Sequence, residues 1–190
     1  MDRGLWTKRG GEIMKLEITE HFNYPPEKVF KTFRDKLKEY VKYASNVTSA
    51  QLKERKELDE HRIKTRMVWK GSGQIPWLVR PVLKPDMIKW KDEVIWDEKK
   101  CGWTWKIESF YFNEFIKCEG KWSVLKVGKE KSKIKLDGIF EVYIPHFPGV
   151  PDAIAQRAGK IIEGFIGRYL KPNLGEVAKA VKKFLEEEEV

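Results

Sequence analysis

Residues 138–170 read GIFEVYIPHFPGVPDAIAQRAGKIIEGFIGRYL, and the spacing of their apolar positions changes part-way along. Leading into it, Ser132, Ile134, Leu136, Gly138, Phe140, Val142 and Ile144 alternate with Lys133, Lys135, Asp137 and Glu141. That period of two is a strand with one apolar face. The run PHFPGVP at 145–151 then breaks it, because proline cannot donate to a ladder. Beyond the break Ile154, Ala155, Ala158, Ile161, Ile162, Phe165, Ile166, Tyr169 and Leu170 recur at three- and four-residue spacing. The same stripe resumes at Leu174, Val177, Ala178, Val181, Phe184 and Leu185. A long helix with one buried face follows, and Pro172 is expected to kink or interrupt it near 168–171.

Working outward, Ile13 to Phe22 alternates moderately and reads as a first strand. Asn23-Tyr24-Pro25-Pro26 ends it, and Pro26 suits a first helical turn, where its missing N–H is not needed. Val29, Phe30, Phe33, Leu37, Tyr40 and Val41 then predict one helix with a single apolar stripe. Val47 to Leu58 reads as a weaker strand turned at Asp59-Glu60. His61, Ile63, Thr65, Met67 and Trp69 share one parity of the next strand, against Arg62, Lys64, Arg66 and Lys70. Three further strands carry Ile88 to Trp96, Trp103 to Glu108, and Ile116 to Val124. The alternation predicts a curved antiparallel meander with one dry and one wet face.

The segment 73–86 stands apart. Pro76, Pro81 and Pro85 exclude a central strand, while Ile75, Trp77, Leu78, Val79, Val82 and Leu83 make it apolar. It reads as a long loop. Loops of that length in compact domains are often functional.

The chain has 190 residues, of which 41% are hydrophobic and 35% charged, so neither a membrane-embedded bundle nor full-length disorder fits. One domain over 13–185 is expected, with a loose extension at 1–12 and an acidic tail at 186–190. Lysine and arginine exceed acidic residues by nine, a balance that favours contact with anions. Two cysteines, Cys101 and Cys118, make neither a disulfide framework nor a redox pair, and Met1 to Lys15 lacks the apolar core of a signal peptide. The compartment is read as cytoplasmic.

The order strand, helix, six antiparallel strands, long helix resembles the START-like, helix-grip superfamily, which includes polyketide cyclases and lipid-transfer and coenzyme-Q-binding proteins. The resemblance rests on NYPPEKVFKTF at 23–33 after the first strand, and on GIFEVYIPHFPGVPDAI at 138–154 leading into the last helix. It implies an α+β fold in which a curved sheet wraps around the C-terminal helix. An apolar ligand would sit between them and enter past a gate of loops. The segment 73–86 then looks like part of that gate. The superfamily has no universal catalytic residue to carry over.

Read from the residues themselves, the inward parity is loaded with wide apolar side chains: Met67, Trp69, Trp90, Trp96, Trp103, Trp105, Trp122 and Phe140. Phe165 and Tyr169 face them from the last helix, and Thr65 and Cys118 join the same lining. Such a set makes either a solid core or the wall of a ligand cavity, in which an indole N–H fixes one polar atom of a guest. Asp92 shares that parity, and burying it without a partner is costly. Three readings stay open: it pairs with His61, it meets a ligand hydroxyl, or it lies near a strand end in water. His61, Asp92 and Tyr169 are the weak candidates for acid–base work. Trp77, Leu78 and Arg80 form an aromatic, aliphatic and basic cluster suited to transient contact with an anionic membrane surface.

Other chemistries lack their signatures. Three dispersed histidines and no paired cysteine spacing give no metal site. Gly71-Ser72-Gly73 is not a phosphate loop, and no G-x-S-x-G elbow occurs. The basic outer parity of the strands is interleaved with Glu93, Glu108, Glu119, Asp137 and Glu141, which argues for cross-strand ion pairs rather than a nucleic-acid track. The reading that follows is binding or transfer of a lipid or polycyclic molecule without chemistry or cofactor. The alternatives are a cyclase-, dehydratase- or hydrolase-type enzyme in the same cavity, and a ligand-free interaction module.

Overall fold

A computed structural model describes residues 13–45, 47–71, 88–111, 113, 116–143 and 152–188. Trp77, Leu78, Arg80 and the rest of the proline-rich segment lie outside that set. Seven strands form one antiparallel sheet: β1 (Met14–Phe22), β2 (Val47–Glu57), β3 (Arg62–Gly71), β4 (Lys89–Asp97), β5 (Gly102–Ser109), β6 (Ile116–Lys126) and β7 (Ser132–Val142). Their spatial order is β1-β7-β6-β5-β4-β3-β2, a six-strand meander closed by the first strand. The alternation predicted from sequence becomes alternating burial, clearest on β5, β6 and β7.

Between β1 and β2 the expected single helix is two. Helix α1 (Pro26–Asp35) starts on Pro26, with Val29 N–H donating to the Pro25 carbonyl, and buries Val29, Phe30 and Phe33. At Lys36 the backbone leaves the helical region (φ -108°, ψ 28°). A short α2 (Leu37–Tyr40) and a 3-10 turn (Val41–Tyr43) follow. Across the interruption Leu37 and Tyr40 stay buried, and the Tyr40 ring lies 6.1 Å from that of Phe33. The edge strand β2 is irregular, its pairing with β3 shifting between Val47 and Ser49 and again between Leu52 and Glu54. Bulges and the charges of Lys53, Arg55 and Lys56 blunt an edge that would otherwise template pairing with another chain.

Helix α3 (Asp152–Glu187) runs as one continuous element through Pro172, which the sequence placed as a kink or interruption. Proline removes one ladder bond, and 36 residues of helix hold the backbone on either side of it. Its last turns are anchored: Ala178, Val181, Phe184 and Leu185 are buried, and Tyr24 donates through its hydroxyl to the Leu185 carbonyl at 2.9 Å. Ser132 in turn donates to the Tyr24 carbonyl at 2.8 Å. This buried relay ties β1's exit, β7's start and the end of α3 together. The hydroxyl of Tyr43 bonds Glu187, and the ammonium groups of Lys42 and Lys183 lie 4.8 and 5.2 Å from its ring.

The outer face of the sheet is ionic. Lys64 and Arg66 both reach Glu93, at 2.8 and 3.0 Å, and Lys117–Glu119 and Lys135–Asp137 pair along their own strands. The basic parity of the strands is thereby interrupted by its own carboxylates. No helix among the described residues is long and apolar enough to cross a membrane.

Candidate functional site

Antiparallel register places opposed residues on one face, so the inner surface can be read as successive rungs across the strands. The rung nearest the 97–102 turn is Ile63, Trp96, Trp103, Trp122, Leu136 and Ile18. Helix α1 lies on it. Phe33 is 5.0 Å from Trp103, Phe30 is 6.0 Å from Trp96, and Trp96 is 4.7 Å from Trp103, centroid to centroid. These rings fill one another's space. Trp103 and Trp122 therefore belong to the packed core at that end, although their parity put them with the cavity lining.

The next rung is Thr65, Val94, Trp105, Gly120, Gly138 and Leu16. Thr65 does not offer a free hydroxyl oxygen there, because it accepts a buried bond from the Trp96 indole N–H at 2.9 Å. Two opposed glycines leave a side-chain gap, and the Trp105 ring occupies it. A methyl group on Gly120 or Gly138 would stand 3.0 or 3.1 Å from the Trp105 ring edge. With the ring laid over the glycines, the Trp105 indole N–H is buried and meets no acceptor.

One rung further lie Met67, Asp92, Ile107, Cys118, Phe140 and Met14, and beyond them Trp69 beside Trp90. The Trp69 and Trp90 rings are parallel, 6.3 Å apart with a 4° interplanar angle. Asp92 stands in mid-strand rather than at a strand end, and its Oδ1 is buried without a hydrogen-bond partner. Burial pushes its carboxyl up to about 7, against a smaller downward pull from the nearby Trp69 indole. The Trp69 indole N–H thus lies near the carboxyl without reaching full hydrogen-bond geometry. Burial raises Tyr40 of α2 and Cys118 well above their ordinary values, and the charge of Asp92 adds to the rise in both. Burial likewise lifts Cys101 to about 11, so both thiols stay protonated at neutral pH.

The site that results is a patch of inner face built from Trp69, Trp90, Asp92, Trp105, Cys118 and Tyr40. It holds two indole donors and one carboxyl oxygen, all buried and all without a hydrogen-bond partner among the described residues. Buried polar groups in folded proteins are nearly always paired, so three on one face point to an outside partner.

His61 is not part of it. It sits in the β2–β3 turn, where its amide donates to Asp59 and its imidazole lies 3.5 Å from Glu60. Six residues of strand separate it from Met67, the register partner of Asp92, or about 20 Å at 3.4 Å per residue. The pairing of His61 with Asp92 is ruled out by that distance. Phe165 and Tyr169 lie on α3, and their side chains are outside the described residues. Tyr40 was missed in the sequence because the stripe of α1 and α2 accounts for it as core. Only its position opposite a buried carboxyl distinguishes it.

A second hollow, about 730 Å³, opens on the outer face above Ile95, Thr104 and Ile139. Lysines and carboxylates of both signs wall it, and it shares only Trp105 and the glycine gap with the inner site.

No protein-family profile matches the chain, and none of the curated proteins matches it in sequence. Solved structures do match in shape. A protein of Thermus thermophilus superposes with a TM-score of 0.66 at 18% identity, over 93% of this chain and 100% of its own. An aromatase/cyclase from a Streptomyces strain gives 0.57 at 13% identity, over 92% and 96%. Norcoclaurine synthase from Thalictrum flavum, in complex with dopamine and hydroxybenzaldehyde, gives 0.61 at 13% identity, over 98% of both chains. At such identities the likeness is one of fold: this chain has the helix-grip, START-like architecture.

Proposed function

We propose that the chain binds a hydrophobic small molecule, a lipid or a polycyclic compound, between the inner face of the sheet and α3, and exchanges it in transient contact with an anionic membrane surface. One observation carries the reading: the Trp69 and Trp105 indole N–H groups and Asp92 Oδ1 are buried on one face with no hydrogen-bond partner among the described residues. Each such group costs about 1–3 kcal/mol if left unmet. A guest whose hydroxyl donates to Asp92 and accepts from an indole would offset that cost. The parallel Trp69 and Trp90 rings supply a flat apolar wall beside it. Selectivity would come from the shape of this wall and from those few bonds.

A second reading is favoured by one feature. A buried carboxyl that titrates near neutrality is suited to general acid–base work, and two of the similar folds belong to a cyclase and a synthase. Asp92 would then exchange a proton with the bound molecule instead of only holding it.

Denaturing extraction of the purified chain followed by mass spectrometry tests both. A stoichiometric hydrophobic species, recovered unchanged after prolonged incubation, is the expected result. Its conversion by the wild type but not by Asp92→Asn would favour the enzyme. An empty extract, repeated after incubation with cellular lipids, would leave the interaction-module reading in place of both.

A further inference from the structure

At the end of the sheet where the Trp69–Trp90 pair sits, the β5–β6 turn presents two adjacent aromatic residues to solvent. Phe110 is 41% exposed and Tyr111 is 54% exposed. Phe110 stands beside Lys89 in the sheet, its amide directed at the Lys89 carbonyl at 3.5 Å. The ammonium groups of Lys89 and Lys91 lie 4.8 and 5.0 Å from the centre of the Phe110 ring.

Two features set this cluster apart from the rest of the surface. Several strand lysines of the outer face are paired with carboxylates, as Lys64 is with Glu93 and Lys117 with Glu119. Among the described residues neither Lys89 nor Lys91 has an ion pair. The carboxylate opposite Lys91 in the ladder, Glu108, is engaged by Lys106 at 3.1 Å. Two ammonium groups drawn to one ring also repel each other, and an anion between them would relieve that repulsion.

We infer that the Phe110–Tyr111 turn, together with Lys89 and Lys91, docks the protein on an anionic lipid surface. Aromatic rings at headgroup depth with lysine stems lying along them form the side-chain chemistry of a membrane–water boundary. The positive charge suits phosphatidylserine-type headgroups. A nucleic acid is a poorer fit, since a phosphate track would have to run along strands on which Glu93, Glu119 and Asp137 interrupt the positive charge. Docked this way, the sheet end that carries Trp69 and Trp90 faces the bilayer. The inference rests on the proposed binding function for its purpose, and its test is independent of the pocket.

The full chain is floated with phosphatidylcholine vesicles, with and without phosphatidylserine, at low and high salt. Binding only to the serine-containing vesicles, lost at high salt, is expected. Lys89→Ser with Lys91→Ser should weaken it by about thirtyfold, from about 1 kcal/mol per lysine near an anionic surface. Phe110→Ser with Tyr111→Ser should also release the protein. Should the aromatic pair fail to fold, the lysine pair at exposed positions still decides. Wild type that ignores anionic vesicles, or lysine variants that float as well as wild type, would overturn the inference. So would lysine-dependent binding of single-stranded RNA in place of vesicles. Extraction of a pocket ligand from the same variants separates failed docking from a failed pocket.

Discussion

Replacing Asp92 by Asn probes the site through stability alone, without knowledge of the ligand. The folded protein holds the Asp92 carboxyl at about 7, and the unfolded chain releases its proton near the ordinary 3.8. Between those values the folded state keeps a proton that the unfolded state has lost. Stability from this group is therefore full below about 4, falls as pH rises through the window, and levels off above 7. A separation of about 3 units at 1.36 kcal/mol each gives about 4 kcal/mol between the two plateaus. Asparagine has nearly the same shape and cannot ionise. Ligand-free Asp92→Asn should match wild type near pH 4 and exceed it by up to about 4 kcal/mol near pH 8, or about 10 °C in Tm for a chain of this size. Taking the difference between the two proteins cancels the opposite slope of Asp35, Glu93 and Asp97, whose carboxyls are held low by cationic partners and hydrogen bonds. The assay is urea unfolding followed by circular dichroism at a series of pH values. A difference that stays flat from pH 4 to 8 would mean that Asp92 is solvated in the folded protein, and the orphaned-carboxyl argument would fail.

Three further outcomes follow from the packing. Gly120→Ala puts a methyl 2.6 Å from the Asp137 carbonyl oxygen and 2.7 Å from the Gly138 Cα, both backbone, and should cost about 2–3 kcal/mol. Gly138→Ala, whose nearest atoms stand at 3.0 and 3.1 Å, should cost less; the reverse order in thermal melts would contradict the geometry. Thr65→Val strands the buried Trp96 indole N–H and should lower stability by about 1–3 kcal/mol, whereas Thr65→Ser should restore most of it. Tyr24→Phe removes the buried bond to the Leu185 carbonyl and should cost about 1 kcal/mol. Its signature is faster amide exchange in residues 178–187 than in β3 and β4, and uniform exchange would deny the anchoring role.

The seven strands and the long terminal helix were legible because a period of two and a period of 3.6 cannot be confused over runs of this length. The break at Lys36 was not, since Leu37 and Tyr40 keep helical spacing from Phe33 whether or not the backbone pauses between them. Of the two outcomes expected at Pro172, the interruption does not occur: one missing amide is a local loss, and the flanking turns carry the helix across it. The edge character of β2 shows in its weak alternation, and the structure adds the two bulges that cause it. The proline-rich segment, with Trp77, Leu78 and Arg80, lies outside the described residues.

What the sequence determined by itself is which side of the sheet each residue faces, because alternation of side chains along a strand is a property of the backbone. Trp69, Trp96, Trp103, Trp105 and Trp122 were all placed inward on that ground, and all five are buried. Parity is silent on the second coordinate, the position along the strand at which each rung meets another layer. Tertiary structure sets it. Helix α1 covers the rung of Trp96, Trp103 and Trp122 and turns those rings into core. Two rungs away Asp92 holds a buried oxygen with no hydrogen-bond partner among the described residues. Register decided the rest: it aligned Trp105 with Gly120 and Gly138, freeing the space that the ring fills, and it set Asp92 and His61 at opposite reaches of the sheet. Long-range pairing carries that information, and no local window of sequence contains it.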